Sequence, residues 1–361
     1  MKLVLATPLY PPEIGGPATD SATLATHLLA AGIPAVVCPF STVKRAPKLV
    51  RHIRYGYRLL QEARGASGIV SFDLVSVGLP AALVARYLGI PLIVRVPGDY
   101  AWEQGRQRFG VVASIDAFQH KRYGPAVEAL RAVQRFVVKR AALVVAPSDY
   151  FKSIVLGWGV SPERLVRIYL GLDRSDEPRM PSARPEGKTL FSVGRFVPWK
   201  GFPLILELLQ ALPEWHAVIA GEGPERARFE ADAKRLGVAE RVRFTGPLPH
   251  AEVLGWCAAA DAYVLNTSFE SFSFQVLEAM LMGAAIVTTA VGSLPELITD
   301  GVEGVLCTPD DLAAFRRALV SIEKEPGTWA ARREAARLKA ARFSLQASGE
   351  AFVRALKNVC A

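Results

Sequence analysis

Short apolar runs alternate with helical patterns from one end of the chain to the other. The runs are apolar on both faces, as is typical of parallel strands that helices cover on each side. In the first half we predict strands at residues 2–7, 35–40, 73–78, 91–96, 142–147 and 165–170. Residues 18–32 have helical periodicity, and we expect Asp20 or Ser21 to cap this helix and Gly32 to end it.

The alternation stops at residues 174–188, which are polar, rich in proline and without periodicity, as linkers are. Beyond them we predict a second series of strands at residues 189–194, 216–221, 241–246, 262–267, 285–290 and 304–307. The tail from about residue 310 is helical and charged, with no further strand. The predicted fold class is α/β, with two Rossmann-like doubly wound domains, at 1–174 and 175–344, that face each other across a cleft.

The composition narrows the class of protein. A chain of 361 residues, 51% of them hydrophobic, can bury the cores of two domains. The four cysteines are scattered, with neither metal-binding spacing nor a disulfide framework, which favours a reducing cytoplasm. No apolar stretch reaches the roughly 20 residues of a membrane-spanning helix, and the first apolar run is too short for a secretion signal. The net charge of +9 calls for an anionic partner: a nucleotide, a membrane surface or a nucleic acid.

Residues 193–201, VGRFVPWKG, combine two cations and two glycines at the end of a predicted strand. Arginine binds phosphate through paired hydrogen bonds and lysine adds a point charge, so Arg195 and Lys200 suit a diphosphate. Gly194 and Gly201 would let the backbone pass close to a ligand. The alternative is a pair of solvated surface cations.

The stretch ESFSFQVLE continues into a second candidate site. We predict a helix at residues 274–282, capped by Ser271 or Ser273 and ended by Gly283. The free amides at the start of this helix would attract phosphate.

A glutamate lies at each end of that stretch. Glu270 comes just ahead of the helix, and Glu278 lies in its second turn among apolar neighbours. A buried carboxylate needs hydrogen-bond donors. The hydroxyls of a ribose would supply them, as they do for the acidic residue of dinucleotide-binding folds, and a salt bridge to a nearby arginine would serve equally well.

Two further candidates lie in the first domain. Gly15 and Gly16 precede a helix, where they can contact a ligand closely or simply form a flexible loop, and the GxGxxG dinucleotide fingerprint is missing there. Asp99 follows a predicted strand. It would orient or deprotonate an acceptor hydroxyl, or else cap a helix that starts near Tyr100.

Residues 44–64 form a basic stretch with seven basic residues and one acid. On a helical wheel an apolar arc lies opposite a cationic one; their members are Leu49, Val50, Ile53, Tyr57 and Leu60, and Arg51, Arg54 and Arg58. A second basic run lies at 120–124. The pattern suits an anionic bilayer surface or a lipid-diphosphate acceptor, and an ordinary sheet-covering helix with a solvated charged face is equally consistent with it.

Taken together, these pieces resemble glycosyltransferase family 4, the retaining sugar-nucleotide transferases of the GT-B fold. The resemblance covers nearly the whole chain through GGPAT (15–19), LVRIYLGLD (165–173), GRFVPWKG (194–201), AGEGPE (220–225), VRFTG (242–246), the E-x7-E pair Glu270 and Glu278, and residues 277–307. It implies that Arg195 and Lys200 hold the donor diphosphate, with Gly194 beside them, and that Glu278 binds the ribose hydroxyls.

The resemblance assigns the remaining contacts to the donor as well. Glu270 and the amides of Phe272, Ser273 and Phe274 would hold the transferred sugar and its phosphate. The backbone around Leu248 would contact the base, and Gly15 and Gly16 would close on the diphosphate from the other domain. The last helix, at 345–361, would pack back on the first domain.

Two positions depart from the family pattern. Many members have glycine where Ser273 stands, so the sugar pocket is expected to be reshaped there. Many also carry a histidine near the strand end where this chain has Pro97, Gly98 and Asp99, so no catalytic histidine is carried over, and Asp99 stays a candidate.

The implied activity is transfer of a hexose-type sugar from a UDP-, GDP- or other nucleotide sugar to a lipid-linked or glycan hydroxyl, in polysaccharide or glycolipid assembly. A small soluble acceptor is the alternative. We expect no cofactor and no metal, because no Asp-x-Asp metal motif is seen and the nearest spacing, Asp173 to Asp176, looks structural. The expected location is the cytoplasm, either free or peripheral on the inner face of the plasma membrane.

Three other classes fit less well. A nicotinamide oxidoreductase would need GxGxxG after a strand, which is missing. A nucleic-acid binder would show aromatic residues interleaved on a basic face, and we expect no nucleic-acid partner. A sugar-nucleotide binder without catalysis is disfavoured because Arg195, Lys200, Glu270 and Glu278 are all present.

Overall fold

The computed structural model describes residues 1–13, 15–44, 46–172 and 176–359. The chain divides into two compact units, Met1–Gly171 with Leu345–Ala361, and Leu172–Ser344. The boundary that we predicted, between residues 174 and 175, and the Asp173 end of the possible metal spacing lie outside the described residues.

The first unit is built on a sheet of six parallel strands in the order β2-β1-β3-β4-β5-β6. The strands are β1 (Leu3–Thr7), β2 (Ala35–Pro39), β3 (Gly68–Ser71), β4 (Leu92–Arg95), β5 (Leu143–Ala146) and β6 (Leu165–Arg167). The helices are α1 (Gly16–Ala30), α2 (Lys48–Ala63), α3 (Gly78–Leu88), α4 (Tyr100–Arg108), α5 (Ile115–Gln119), α6 (Pro125–Arg140) and α7 (Asp149–Gly157), with 3-10 turns at Phe40–Val43 and Pro162–Arg164.

The third predicted strand, at residues 73–78, is wrong. The strand β3 comes earlier, at Gly68–Ser71, and residues 73–78 lead into α3. The Asp73 carboxylate accepts hydrogen bonds from the backbone N–H groups of four residues in a row, Val75, Ser76, Val77 and Gly78. A carboxylate that satisfies the free amides at a helix start favours a turn over an extended chain, although the segment is apolar enough for a strand.

The predicted cap of the first helix is also wrong, because α1 begins earlier, at Gly16. Asp20 and Ser21 lie inside the helix. The Asp20 carboxylate accepts two hydrogen bonds from Arg95, at 2.7 and 2.9 Å, and the Ser21 hydroxyl donates to the Ala18 carbonyl at 3.2 Å. An early proline that fixes the helical φ at the first turn explains the earlier start.

The second unit has another sheet of six parallel strands, in the order β12-β11-β10-β7-β8-β9. The strands are β7 (Lys188–Val193), β8 (Trp215–Ala220), β9 (Val242–Gly246), β10 (Ala262–Leu265), β11 (Ile286–Thr289) and β12 (Val305–Cys307). The helices are α8 (Phe202–Ala211), α9 (Arg226–Arg235), α10 (His250–Ala259), α11 (Phe274–Leu281), α12 (Leu294–Leu297), α13 (Leu312–Lys324) and α14 (Pro326–Ala340), with 3-10 turns at Pro198–Lys200 and Ala239–Arg241.

The strand order of the second unit locates a ligand site. Read from β9, the order runs third, second, first, fourth, fifth, sixth within the unit, as in dinucleotide-binding folds. The order reverses between β7 and β10, and ligands of such sheets bind at the carboxyl ends of the strands at this switch point. The segments that follow β7 and β10 are therefore where a ligand is expected.

The last helix, α15 (Leu345–Lys357), completes the core of the first unit. Phe352 and Leu356 are fully buried and join a hydrophobic cluster with Leu24 of α1. The two helices approach so closely that a Cβ on Gly349 would lie 2.2 Å from the ring of His27. The glycine is therefore required for this packing.

The linker predicted at 174–188 has no helix or strand over its described residues before β7. It is nevertheless fixed to the second unit along α10. The backbone N–H of Arg179 donates to the Ala251 carbonyl at 2.8 Å, and a Cβ on Gly255 would lie 1.9 Å from the Arg179 carbonyl oxygen. Arg184 pairs with Asp261 at 2.6 Å. The linker thus has one defined course along this unit.

The other predicted strands and the helical tail are confirmed. None of the helices among the described residues is both long enough and apolar enough to cross a bilayer.

Candidate functional site

The turn after β7 carries both predicted cations. Arg195 is exposed, and its side chain makes no hydrogen bond or ion pair with any described residue. The chain then forms the 3-10 turn Pro198–Lys200, and Gly201 has φ 56°, a left-handed conformation that favours glycine. Gly194 lies beneath this turn, 3.7 Å from the Lys200 side chain at the position a Cβ would take.

The loop after β10 holds this turn in place. The Thr267 hydroxyl and the Ser268 N–H both donate to the Trp199 carbonyl, at 3.0 and 2.9 Å. The Asn266 amide donates to the Gly201 carbonyl at 3.2 Å. A Cβ on Gly201 would lie 1.9 Å from the Asn266 carbonyl oxygen. The two segments at the switch point are therefore held together by one backbone and two side-chain hydrogen bonds, and by the close approach of Gly201 to the Asn266 backbone.

These contacts between the two segments bring Lys200 and Glu270 together. The Lys200 ammonium lies 2.5 Å from a Glu270 carboxylate oxygen, and the two side chains are only 11% and 8% exposed. The glutamate is fixed from the other side, because its carbonyl accepts from the Ser293 N–H at 3.0 Å and a Cβ on Gly292 would lie 2.2 Å from it. Two residues predicted to share the donor phosphates and sugar thus lie side by side.

The helix α11 begins at Phe274, shortly after Glu270 in the chain. Of the two predicted caps Ser273 is the one used: its hydroxyl accepts from the Val276 N–H at 3.4 Å. Phe272 is buried and lies edge-on to Phe274 at 6.0 Å. The helix start, with its partial positive charge, comes four residues after Glu270 in the chain.

Glu278 is nearly buried, and its partner is a histidine rather than the arginine that we considered. His250 lies at the start of α10, with Nε2 3.0 Å from Glu278 Oε1 and Nδ1 2.6 Å from Asp176 Oδ2. The hydrogen bond to Glu278 and the contact with Asp176 outweigh burial and raise the pKa of His250 to about 9. The stability that this charge contributes is complete below the ordinary pKa of 6.5 and is lost as the pH rises through about 9.

Sequence reasoning missed His250. Its only local signal is its place as the first residue of a helix, two residues after Leu248. Leu248 itself lines a pocket together with Arg179, Met180, Thr245 and Trp256. The contact of Leu248 with the base stays a prediction.

The first unit supports the second of the two roles considered for Asp99. Asp99 caps α4, because its carboxylate accepts from the Trp102 N–H at 3.0 Å. It also accepts from the side-chain amides of Gln119 and Gln134, at 2.8 and 3.1 Å, and the residue is 1% exposed. A buried carboxylate with three donors is well satisfied, which favours the capping role of Asp99 over proton transfer.

Gly15 and Gly16 stand at the start of α1. Gly15 is the cap, with φ 152°, and its carbonyl accepts from the Ala18 N–H at 2.9 Å. A Cβ on Gly16 would meet no described atom within 4 Å, so open space surrounds it. The preceding Ile14 lies outside the described residues, and contact of the glycines with a donor stays a prediction.

Two family models match the chain, one on each unit. A glycosyl transferase 4-like domain matches residues 4–171, and the model described as glycosyl transferases group 1 matches residues 173–339. The chain belongs to the group 1 glycosyl transferases. The second match includes the turn 194–201 and the Glu270–Glu278 pair, and the family that the motifs resembled is confirmed.

Curated relatives of this group 1 glycosyl transferase match parts of it. Glycogen synthase of Mycobacterium tuberculosis (strain CDC 1551 / Oshkosh) is 29% identical over 266 residues, which cover 72% of this chain and 60% of the relative. The lipopolysaccharide core biosynthesis mannosyltransferase LpsB of Rhizobium meliloti is 30% identical over 200 residues, covering 50% and 55%. The match therefore spans less than two thirds of the length of these relatives.

Solved structures match the group 1 glycosyl transferase over almost its whole length. HepE of Anabaena, in complex with UDP and glucose, has a TM-score of 0.80 and 19% identity, covering 99% of this chain and 100% of HepE. Sucrose-phosphate synthase of Thermosynechococcus elongatus has a TM-score of 0.82 and 18% identity, covering 99% and 98%. With two parallel six-stranded sheets, these likenesses confirm the predicted α/β fold class of the GT-B type.

Proposed function

We propose that this protein is a retaining hexosyltransferase that moves a sugar from a nucleotide diphosphate donor to a lipid-linked or glycan hydroxyl. The observation that carries the proposal is the contact of Lys200 with Glu270 at the switch point of the second sheet; exposed Arg195 lies in the same turn as Lys200, and α11 starts four residues after Glu270. Support also comes from HepE, solved with UDP and glucose, and from the mannosyltransferase relative of lipopolysaccharide core biosynthesis.

The charges explain how the site would work. A donor diphosphate would compete for the Lys200 ammonium and so release the Glu270 carboxylate to accept hydrogen bonds from the hydroxyls of the sugar. As the bond between the sugar and the phosphate oxygen breaks, negative charge grows on the leaving diphosphate. Lys200, Arg195 and the amides at the start of α11 would stabilise that charge without reorganising.

Retention is expected to follow a front-face course. The acceptor oxygen would bond to the sugar carbon on the side from which the diphosphate leaves, and the acceptor proton would pass to a phosphate oxygen. We propose that the two fixed cations make a metal unnecessary, and that UDP, GDP or another nucleoside diphosphate is the leaving group.

A panel of nucleotides tests the donor class. We expect UDP or GDP to raise the unfolding temperature and NAD to leave it unchanged, because only a ligand that binds the folded state stabilises it. Donor hydrolysis across a sugar-nucleotide panel then identifies the base and sugar. Glu278→Ala should hydrolyse the preferred donor far more slowly than wild type, and equal rates in both would refute the ribose role of Glu278.

We expect Arg195→Ala to weaken nucleoside diphosphate binding by about ten- to a hundredfold, which corresponds to the free energy of hydrogen bonds to a charged group. Binding of the nucleoside without phosphates should not change, and neither should the unfolding temperature, because the side chain is exposed. Titration calorimetry with both ligands measures this. Arg235→Ala, on an exposed arginine of α9, is the control, and an equal loss there would contradict the assignment.

We propose that α2 attaches the protein to an anionic bilayer. Residues Tyr55, Leu59 and Ala63 already bury one apolar face of this helix. Ile53 and Tyr57, which belong to the predicted apolar arc, lie outside this buried face and are 73% and 64% exposed. A purely sheet-covering helix needs no second apolar face, whereas an interfacial helix does.

Charge supports the same partner. Arg54 and Arg58 have no ion-pair partner within the described part of the chain, so both are available to lipid phosphates. Lys44, in contrast, pairs with Glu13. Arg45 and the side chains of Lys48 and Leu49 lie outside the described residues.

We expect Ile53→Asp to lower binding to phosphatidylglycerol vesicles by about ten- to a hundredfold, the worth of one buried aliphatic side chain. Donor hydrolysis should be unchanged. Leu29→Asp, at a residue of α1 that is 71% exposed, is the matched control and should bind like wild type. Cosedimentation measures both, and binding by Ile53→Asp at the wild-type level would favour the alternative, a small soluble acceptor.

A further inference from the structure

His250 joins the linker to the donor site. Its ring lies between Asp176 of the linker and Glu278 of α11, with one nitrogen 2.6 Å and the other 3.0 Å from a carboxylate oxygen. Ionised carboxylates only accept hydrogen bonds, so both contacts can form only when both ring nitrogens carry a proton. The raised pKa of His250 agrees with this requirement. The ring is thus a cation held between two anions.

The same contact leaves Glu278 free on one side. His250 occupies one lone pair of Oε1, and Oε2 has no hydrogen-bond partner among the residues that the structure describes. A carboxylate offers about four lone pairs, so about three remain on its two neighbouring oxygens. These can accept both hydrogen bonds of a ligand that donates two. Vicinal hydroxyls are such a ligand.

The linker in turn limits the movement of the ring. Asp176 contacts the outward nitrogen of His250, and Arg179 is bonded to the backbone of Ala251 in the next position of α10. A glutamate side chain has several rotatable bonds and would otherwise sample several rotamers. The ring and the linker together select one of them.

We propose that His250 is a positioning residue of the donor site, which holds the Glu278 carboxylate in the orientation that accepts both ribose hydroxyls, and that Asp176 makes the linker a part of this site. The inference rests on the proposed ribose role of Glu278. It adds two residues that do not touch the donor but set how tightly its ribose is bound.

Titration calorimetry with UDP and GDP, and with their 2′,3′-dideoxy counterparts, tests the inference. We expect His250→Ala to weaken the nucleotide that wild type prefers about tenfold, the usual scale for a residue that orients a ligand-binding side chain. Binding of the dideoxy counterpart, which has no hydroxyls for Glu278 to accept from, should stay as in wild type. Asp176→Asn, a half-exposed change that cannot disturb the core, should show the same pattern with a smaller loss, about threefold.

Controls separate this inference from the function on which it rests. Arg184→Ala removes a different contact of the linker, with Asp261, and should not change binding of either ligand. Equal loss for both ligands in His250→Ala, or no loss in either the His250 or the Asp176 variant, overturns the positioning role while Glu278→Gln still weakens only the nucleotide with ribose hydroxyls. If Glu278→Gln changes the affinity for both nucleotides equally, or for neither, the ribose assignment fails, and the inference fails with it.

Discussion

Replacing Lys200 with methionine is expected to lower kcat for sugar transfer about a thousandfold, because in the proposed mechanism it removes a fixed cation that stabilises the charge on the leaving diphosphate. It should also destabilise the second unit by about 3–5 kcal/mol, since the Glu270 carboxylate, 8% exposed, is then left without its ion-pair partner. Steady-state kinetics with the preferred donor and chemical denaturation measure the two effects.

A double variant separates stability from catalysis. Lys200→Met with Glu270→Gln replaces the buried pair by neutral groups, so most of the lost stability should return while transfer stays at the level of the single variant. Lys188→Met is the control, because Lys188 is partly and its partner Glu323 largely exposed, so their pair should contribute no more than about 1 kcal/mol. Recovery of activity in the double variant would show that Lys200 acts only by holding Glu270.

Gly201→Ala is expected to destabilise the second unit strongly. The residue has φ 56°, and the added carbon would lie 1.9 Å from the Asn266 carbonyl oxygen. We expect a loss of about 3 kcal/mol from strain and overpacking, which corresponds to a fall of roughly 10 °C in the unfolding temperature. Nucleotide binding should weaken too, because Lys200 precedes the displaced residue.

Gly237→Ala is the matched control for this prediction. Gly237 has φ 70°, so alanine is strained there as well, but its Cβ would meet no described atom within 4 Å. It should lower the free energy of unfolding by only about 1 kcal/mol, through the strain of a left-handed alanine, and leave nucleotide affinity unchanged. Equal effects of the two substitutions would mean that the contact with Asn266 does not position the site.

The strands could be predicted well because both faces of each parallel strand are buried, which leaves a continuous apolar run in the sequence. The failure at residues 73–78 has a specific cause. That segment is as apolar as a strand, and only the four backbone hydrogen bonds to Asp73 turn it into the start of α3. A side chain that competes for the backbone leaves no periodic signal.

The site could be predicted in part, for a related reason. Lys200 lies in a short motif with two glycines, and Glu270 lies just ahead of a helix start. Their roles could therefore be predicted from a few neighbouring residues. The partner of Glu278 could not, because His250 is 28 residues away and Asp176 lies a further 74 residues from His250 along the chain. Asp99 shows the converse, since a carboxylate before a helix has the same local pattern whether it caps or catalyses.

The position of α15 has a consequence for biosynthesis. Phe352 and Leu356 fill the core of the first unit, yet the ribosome makes them after the entire second unit. During translation the apolar surface along α1 that receives them stays exposed until α15 has been made, whereas the second unit can already fold. Chaperones that recognise exposed apolar surface would therefore find their binding site on the half of the nascent chain that was synthesised first.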